Sequence, residues 1–389
     1  MSKYIKGWMM PIWLLLATWA FMQGGWWLWA PFIVTLALFT FGDWVLPHDL
    51  SEPPLHQTLL LNVPVYSFLP IMLVMNLTVL WLVGAGDFAG FGAWVQGHLG
   101  IDLEAARAAS TGWGYRIGAI LSVALMNAYG GTVTGHELTH RTSKPLDLFI
   151  GRWLLAFTAD TTFAIEHVYG HHVRVATEED PATARRGESF YKFTVRSTLE
   201  SYTHPFQIER ERLAKTGKSL WNPLDSPLMM GMLENLILFF VAYAVSGWTG
   251  VVMWTGIVLI GKQYLELTNY FEHYGLIRET GKPVQPRHSW NSNHWMSTNV
   301  LYSLARHSHH HAEADAPYWT LRAYPNAPML PAGYLTMIVV ALVPPLFKRI
   351  MQPALNQWDR VHATPDERKL AAEANARSGM TGYELADAA

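Results

Sequence analysis

Long apolar runs, each near the length that a bilayer demands, alternate along this chain with shorter polar and aromatic stretches. A hydrocarbon core of roughly 30 Å needs about 20 apolar residues of helix. Six runs qualify: residues 5–24, 26–46, 59–83, 113–134, 230–248 and 251–270. The first two nearly abut and the last two are a few residues apart, so each pair reads as a tight helical hairpin. Tryptophans gather at run ends (Trp8, Trp26, Trp27, Trp29, Trp44, Trp113, Trp248, Trp254), as expected of side chains that settle at a membrane interface. The pattern predicts an all-α integral membrane protein with about six transmembrane helices. Lys3 and Lys6 flank the first run, but no small-residue cleavage site follows, so it is expected to stay as an anchor. A further apolar run, 329–347, is interrupted by Pro331 and by Pro344–Pro345 and is expected to lie in the interface. From Asp359 the chain turns charged and Ala-rich, which reads as a short surface helix and a frayed end. The expected organisation is one integral domain over 1–350 and a cytoplasmic C-terminal tail or linker over 351–389.

Composition sharpens this picture. Of 389 residues half are hydrophobic and 15% are charged, which argues against a large soluble helical core. No internal repeat and no phosphate-binding Gly-rich loop is present. The absence of cysteine excludes a disulfide framework, thiolate ligands and an internal iron–sulfur centre. A net charge of −2 says little about partners, whereas its distribution says more. Segment 141–218 carries 12 Lys and Arg, while the loop 84–112 has only Arg107. With Met1 in the cytoplasm, the second, fourth and sixth runs exit there, and the basic segment follows the positive-inside tendency. The histidine-rich segments at those exits then form a cytoplasmic helical cap.

Those segments hold the chemistry. Ten of 17 histidines fall in four short runs: GHELTH (His136, His140), EHVYGHH (His167, His171, His172), NYFEHYG (His273) and RHSHHH (His307, His309, His310, His311). Spacings of three and four put imidazoles on one helical face. Neutral imidazole is the commonest metal ligand, and this many point to more than one metal ion. Such ligands leave the metal's charge uncompensated, and Glu137, Glu166 and Glu272 each stand beside a cluster. They are expected to accept the second ring N–H of a ligand and so aim it, or else to be ligands themselves. Spacing alone leaves zinc, copper, iron and nickel open. His136–Glu137–Leu138–Thr139–His140 is also a literal H-E-x-x-H, the signature of zinc proteases in which the Glu is general base. A membrane metalloprotease needs one more ligand and would leave the other seven clustered histidines unexplained.

The boxes H-x3-H, H-x3-H-H and H-x2-H-H resemble those of the membrane di-iron desaturases and hydroxylases. The words GHELTHR, EHVYGHHVRVATEEDPATARRGESFYKF, NYFEHYGL, HSWNSNH and LARHSHHHAEADAPYWTLR are similar to those of the bacterial alkane 1-monooxygenases. The resemblance implies terminal hydroxylation of medium- to long-chain n-alkanes with O2, at two iron ions in the bacterial inner membrane. It implies as ligands His136, His140, His167, His171, His172, His273, His307, His310 and His311, with Glu137, Glu166 and Glu272 in support. It also implies rubredoxin, itself reduced by a rubredoxin reductase, as electron donor, substrate entering from the lipid, and no role for nucleic acid. A fatty-acyl desaturase or a related aryl or alkyl hydroxylase is the alternative within the same chemistry.

The chain departs from the family at one place, where His309 replaces an Asp. His288 and His294 are expected to be structural, and His48, His56, His98, His204 and His362 to be solvent or interface residues. Gly130, Gly131 and Gly135 either let a substrate chain pass close to the backbone or let helices pack closely. The basic stretch 185–218 is either a docking surface for an acidic donor or a topology signal with phospholipid contact.

Overall fold

A computed structural model describes residues 2–52, 58–324 and 326–380, which leaves His56 and the last nine residues outside it. Helices dominate the described residues, and the β-structure among them is a single bridge between Asn291 and Met329. Four helical runs are long and apolar enough to cross a membrane: Tyr4–Gln23, Leu59–Val83, Trp113–Thr139 and Pro227–Glu272. Ala30–Val45 is a shorter apolar helix.

The last long run is not one rod. Ser246 (φ −140°) and Gly247 (φ 58°) leave helical geometry, and Gly247 takes a conformation that glycine tolerates without strain. A Cβ placed on Gly250 would collide with the Ala242 carbonyl, eight residues back. In a continuous helix those residues are about 12 Å apart along the axis. The chain therefore turns back at Ser246–Gly247, as the expected hairpin requires. Between the first two apolar helices, Gly24 (φ 67°) and Gly25 (φ 56°) open a short 3-10 turn, Gly25–Leu28.

The chain forms two compact units, each assembled from three separated stretches. The first comprises Met1–Leu38, His56–Ala164 and Ser219–Tyr264. Its core holds Leu14, Phe21, Phe68, Met72 and Trp81, all essentially inaccessible, while Leu16, Trp19, Leu236 and Phe240 face outward as lipid-facing side chains would. Close approach is built from glycine. A Cβ on Gly131 would strike the Leu154 carbonyl, one on Gly135 would meet Gly151 and Leu155, and one on Gly130 would meet Leu14, Met72 and Phe68. Of the two readings of these glycines, helix packing is the one observed. Buried polar side chains inside this unit pair with one another, as Asn76 does with Asn127 through reciprocal amides and Lys262 with Asp160 at 2.8 Å.

The second unit comprises Phe39–Leu55, Ile165–Lys218 and Leu265–Ala389. Helix Tyr334–Ala341 is eight residues long, about 12 Å, well short of a bilayer core. Helix Pro344–Gln357 continues past residue 350, and Trp358, Asp359 and Glu367 beyond it are buried. Trp358 is fully buried, and its indole donates to the Arg287 carbonyl at 2.6 Å. The Arg186 guanidinium, wholly enclosed, holds the Asp359 carboxylate through two bonds of 2.8 and 2.5 Å. The charged segment does form a helix, Pro365–Ser378, entered through a Thr364/Glu367 capping box. Glu367 also receives Arg287 and His288, at 3.0 and 2.8 Å. Burial alone would raise the Glu367 carboxyl, but those partners and the Thr364 amide bring it down to about 2.

Candidate metal centre

Seven of the nine expected ligands lie in the second unit, and their Nε2 atoms converge there in two sets. His171, His273, His307 and His311 form one, with ligand atoms all within 4.8 Å of one another and every ring buried. Nε2 separations are 3.2 Å for His171–His311, 3.1 Å for His307–His273 and 3.1 Å for His311–His307. Nitrogens about 2.1 Å from a metal lie about 3.0 Å apart at right angles and about 3.4 Å apart at the tetrahedral angle. The spacing fits a common metal. His167, His172 and His310 form the other set, with His172 Nε2 at 3.0 Å from His167 and 3.1 Å from His310. His136 lies in the first unit on helix Thr134–Thr139 and His140 caps that helix, the two buried and edge to face, with centroids 4.8 Å apart.

Local backbone decides which histidines meet. An α-helix would pair His167 with His171, four residues on. Residues Glu166–His171 are instead π-helical, a wider turn closed by i to i+5 bonds. The widened turn pairs His167 with His172 and releases His171 to the other set. A second π-helical turn, Ala128–Val133, precedes His136. Helix His307–Ala312 keeps α-geometry and sends His310 to one set and His307 and His311 to the other.

The three expected carboxylates meet different partners. Glu137 accepts from Arg141 at 2.7 Å, and Arg141 also reaches Asp147 and Asn62. Glu166 lies 3.4 Å from His204 and 3.8 Å from Arg174. Glu272 does face the cluster, with Oε2 at 3.4 Å from His307 Nε2. A fourth carboxylate, Asp180, not among those expected from the sequence, lies 2.8 Å from His171 Nδ1, where it can aim that ring. Burial alone would raise the Asp180 carboxyl, but His171 and the Thr183 hydroxyl hold it below its ordinary value. His273 finds a backbone partner, the His288 carbonyl, at 3.4 Å. Burial, reinforced by the neighbouring imidazoles, drives His311 well below its usual range, which keeps its nitrogen free to ligate.

The remaining histidines fall outside both sets. His309 accepts from the Arg322 amide at 2.7 Å and stacks on Tyr324, facing away from its neighbours' nitrogens. His288 accepts from the Gln285 amide and donates to Glu367, so it is a buried structural residue. His294 bonds Ser292 and lies against His48, while His98 is exposed. His309→Asp is therefore expected to keep full metal content. Iron falling below half of wild type in that variant, by elemental analysis, would reassign His309 to the ligands.

Comparison with known proteins agrees with this geometry. The fatty acid desaturase family matches residues 111–341. The alkane 1-monooxygenase 1 of Pseudomonas aeruginosa is 35% identical over 305 residues, covering 77% of this chain and 73% of that protein. An alkane 1-monooxygenase of Ectopseudomonas oleovorans is 39% identical over 248 residues, 62% of this chain and 61% of its own length. The hydroxylase component of a xylene/toluene monooxygenase from Pseudomonas putida is 29% identical over 360 residues, 92% of this chain and 91% of that protein.

Proposed function

Because the chain belongs to the fatty acid desaturase family, and within it to the alkane 1-monooxygenases of the membrane di-iron type, we propose that it hydroxylates the terminal carbon of medium- to long-chain n-alkanes. The observation that carries this reading is the convergence of imidazole nitrogens in a chain with such relatives. Nine histidines are the ligands in this reading: the seven of the second unit together with His136 and His140. Two irons held by them would supply O2 activation, placing one oxygen atom in a C–H bond while the other leaves as water.

The protein's own residues prepare that chemistry. Asp180 accepts a hydrogen bond from His171 Nδ1–H and the His288 carbonyl accepts one from His273 Nδ1–H, so each ring presents its Nε2 lone pair inward. An alkane offers no polar handle, so apolar shape alone orients it and the accepted chain lengths should be broad. Two electrons enter per turnover, and rubredoxin is the donor we assign. Its contact surface in this reading is a concavity of about 630 Å³ where Arg185, Lys192, Lys348 and Arg377 outnumber Glu178 and Glu188. Thr183 lines the adjoining hollow and bonds Asp180 at 2.6 Å, which in turn bonds His171, a short path inward. Six crossings of the bacterial inner membrane, with the histidines on the cytoplasmic side, complete the reading.

The reaction is tested with the purified full chain, reduced rubredoxin, 18O2 and octane or dodecane. A 1-alkanol carrying the label is expected. An alkene from an acyl substrate, with no alkanol from the alkane, would move the chain to the desaturases. The 92% coverage by the xylene/toluene relative favours a second reading, aromatic side-chain hydroxylation, so toluene belongs in the same assay. Orientation has its own test in this cysteine-free chain. A cysteine at Thr216 should resist an impermeant thiol reagent in intact cells and one at Ala93 should react. The reverse pattern would invert the topology.

A further inference from the structure

Glu272 closes a long helix and is almost fully buried, with two oxygens that meet different neighbours. Oε2 lies 3.4 Å from His307 Nε2, the nitrogen that itself converges on His273 and His311 at 3.1 Å each. Oε1 accepts the Tyr334 hydroxyl at 2.7 Å. The Glu272 backbone is pinned as well, because the Trp290 amide donates to its carbonyl at 2.9 Å.

Tyr334 is held from the far side. Its ring is buried and meets Phe271 edge to face, with centroids 5.0 Å apart. Its amide donates to Ser297 Oγ at 2.8 Å, and Ser297 is clamped by Asp43 through both its hydroxyl and its amide. Gly333, one residue earlier, packs so closely on the Asp43 carboxylate that a Cβ would collide with it. The phenol thus reaches Glu272 from a fixed base. A terminal carboxylate torsion is otherwise broad and soft, so one strong donor is what selects its rotation.

We propose that Tyr334 is a positioning residue: its hydroxyl fixes the Glu272 carboxylate with one oxygen turned toward the four-histidine cluster. The inference rests on the proposed metal site but goes beyond it. Four neutral imidazoles bring no charge to a divalent ion, and Glu272 supplies one beside them. Removing the phenolic donor frees the torsion and leaves more charge on the carboxylate, altering one metal environment and not the other.

Tyr334→Phe keeps the ring and its contact with Phe271 and deletes only the hydroxyl. In detergent-purified, 57Fe-loaded full chain, its ferrous Mössbauer spectrum is expected to change in one site's doublet and to keep the other. Iron loss to a chelator should accelerate about 10–100-fold, the range for partners that orient ligands. Glu272→Asp draws the carboxylate back from the phenol by one methylene and should move the same doublet, which covers a poor yield of the first variant. In the double variant Tyr334→Phe/Glu272→Gln the spectrum and loss rate should match Glu272→Gln alone, because Tyr334 acts through Glu272. Tyr191→Phe, which deletes an exposed phenol bonded to the Leu342 carbonyl and leaves Tyr334 and its supports intact, should keep wild-type doublets. Unchanged doublets in Tyr334→Phe or Glu272→Asp, additive effects in the double variant, or an equal shift in Tyr191→Phe would each overturn the proposal. Failure of the wild-type chain to bind iron would instead remove the proposed function itself.

Discussion

His311→Ala is expected to abolish turnover and to strip iron from the purified chain. Its Nε2 stands 3.2 Å from that of His171 and 3.1 Å from that of His307, so its loss opens the four-histidine set at its centre. His311 also stacks on His172, a member of the other set, with centroids 4.4 Å apart. An alanine there removes a ligand and a packing contact in both directions. The effect should exceed the roughly 100-fold ceiling typical of residues that merely orient ligands. Asp180→Asn, which keeps shape but weakens the acceptor for His171, should stay within that ceiling. Iron per chain by elemental analysis and alkanol formed per minute check both. His311→Ala with wild-type iron and turnover would remove the four-histidine set from the chemistry.

Much of this was legible because histidine is rare, distinctive and helically spaced here. The hairpin at Ser246–Gly247 was legible too, since two apolar runs separated by a few residues have no other simple arrangement. What the residues concealed is instructive. The α-helical rule joined His167 to His171, and only a π-helical turn, invisible to spacing arguments, joins His167 to His172 instead. Asp180 sits in an acidic loop that reads as solvated, yet the turn running through Thr183 aims it inward. Tyr334 lies 62 residues from Glu272, and no local pattern links a phenol to a carboxylate at that distance. The C-terminal segment reads as polar by composition, but its partners Arg186 and His288 are far away in sequence.

Asp359→Ala should be the most destabilising single change outside the histidines. It leaves the wholly enclosed Arg186 guanidinium without its carboxylate, and stripping one partner from a buried pair costs about 3–5 kcal/mol. Arg186 also donates to the Gly275 carbonyl at 2.8 Å, two residues beyond His273, so under the proposed ligand set the disturbance should loosen iron as well. Arg377→Ala offers the contrast. Its bond to Glu178 is 2.6 Å long, but both side chains are mostly exposed, and such pairs contribute about 0–1 kcal/mol. Denaturation midpoints of the two variants in detergent should therefore differ clearly. Equal midpoints would mean that the C-terminal segment is not anchored through Asp359.

The interleaving of the second unit has a consequence for how the protein is made. Asp43 waits 254 residues for Ser297, and the carbonyl of Asp49 waits 257 for Arg306. During translation the early stretch enters the membrane long before its partners exist, and contacts this distant close late. His273 emerges before His307 and His311, and the Glu367 anchor of His288 comes later still. A nascent chain therefore displays an incomplete ring of imidazoles, and such sites generally hold copper or zinc more tightly than ferrous iron. If the site carries iron, as proposed, its correct loading then depends on which metal meets the chain first as well as on the finished ring.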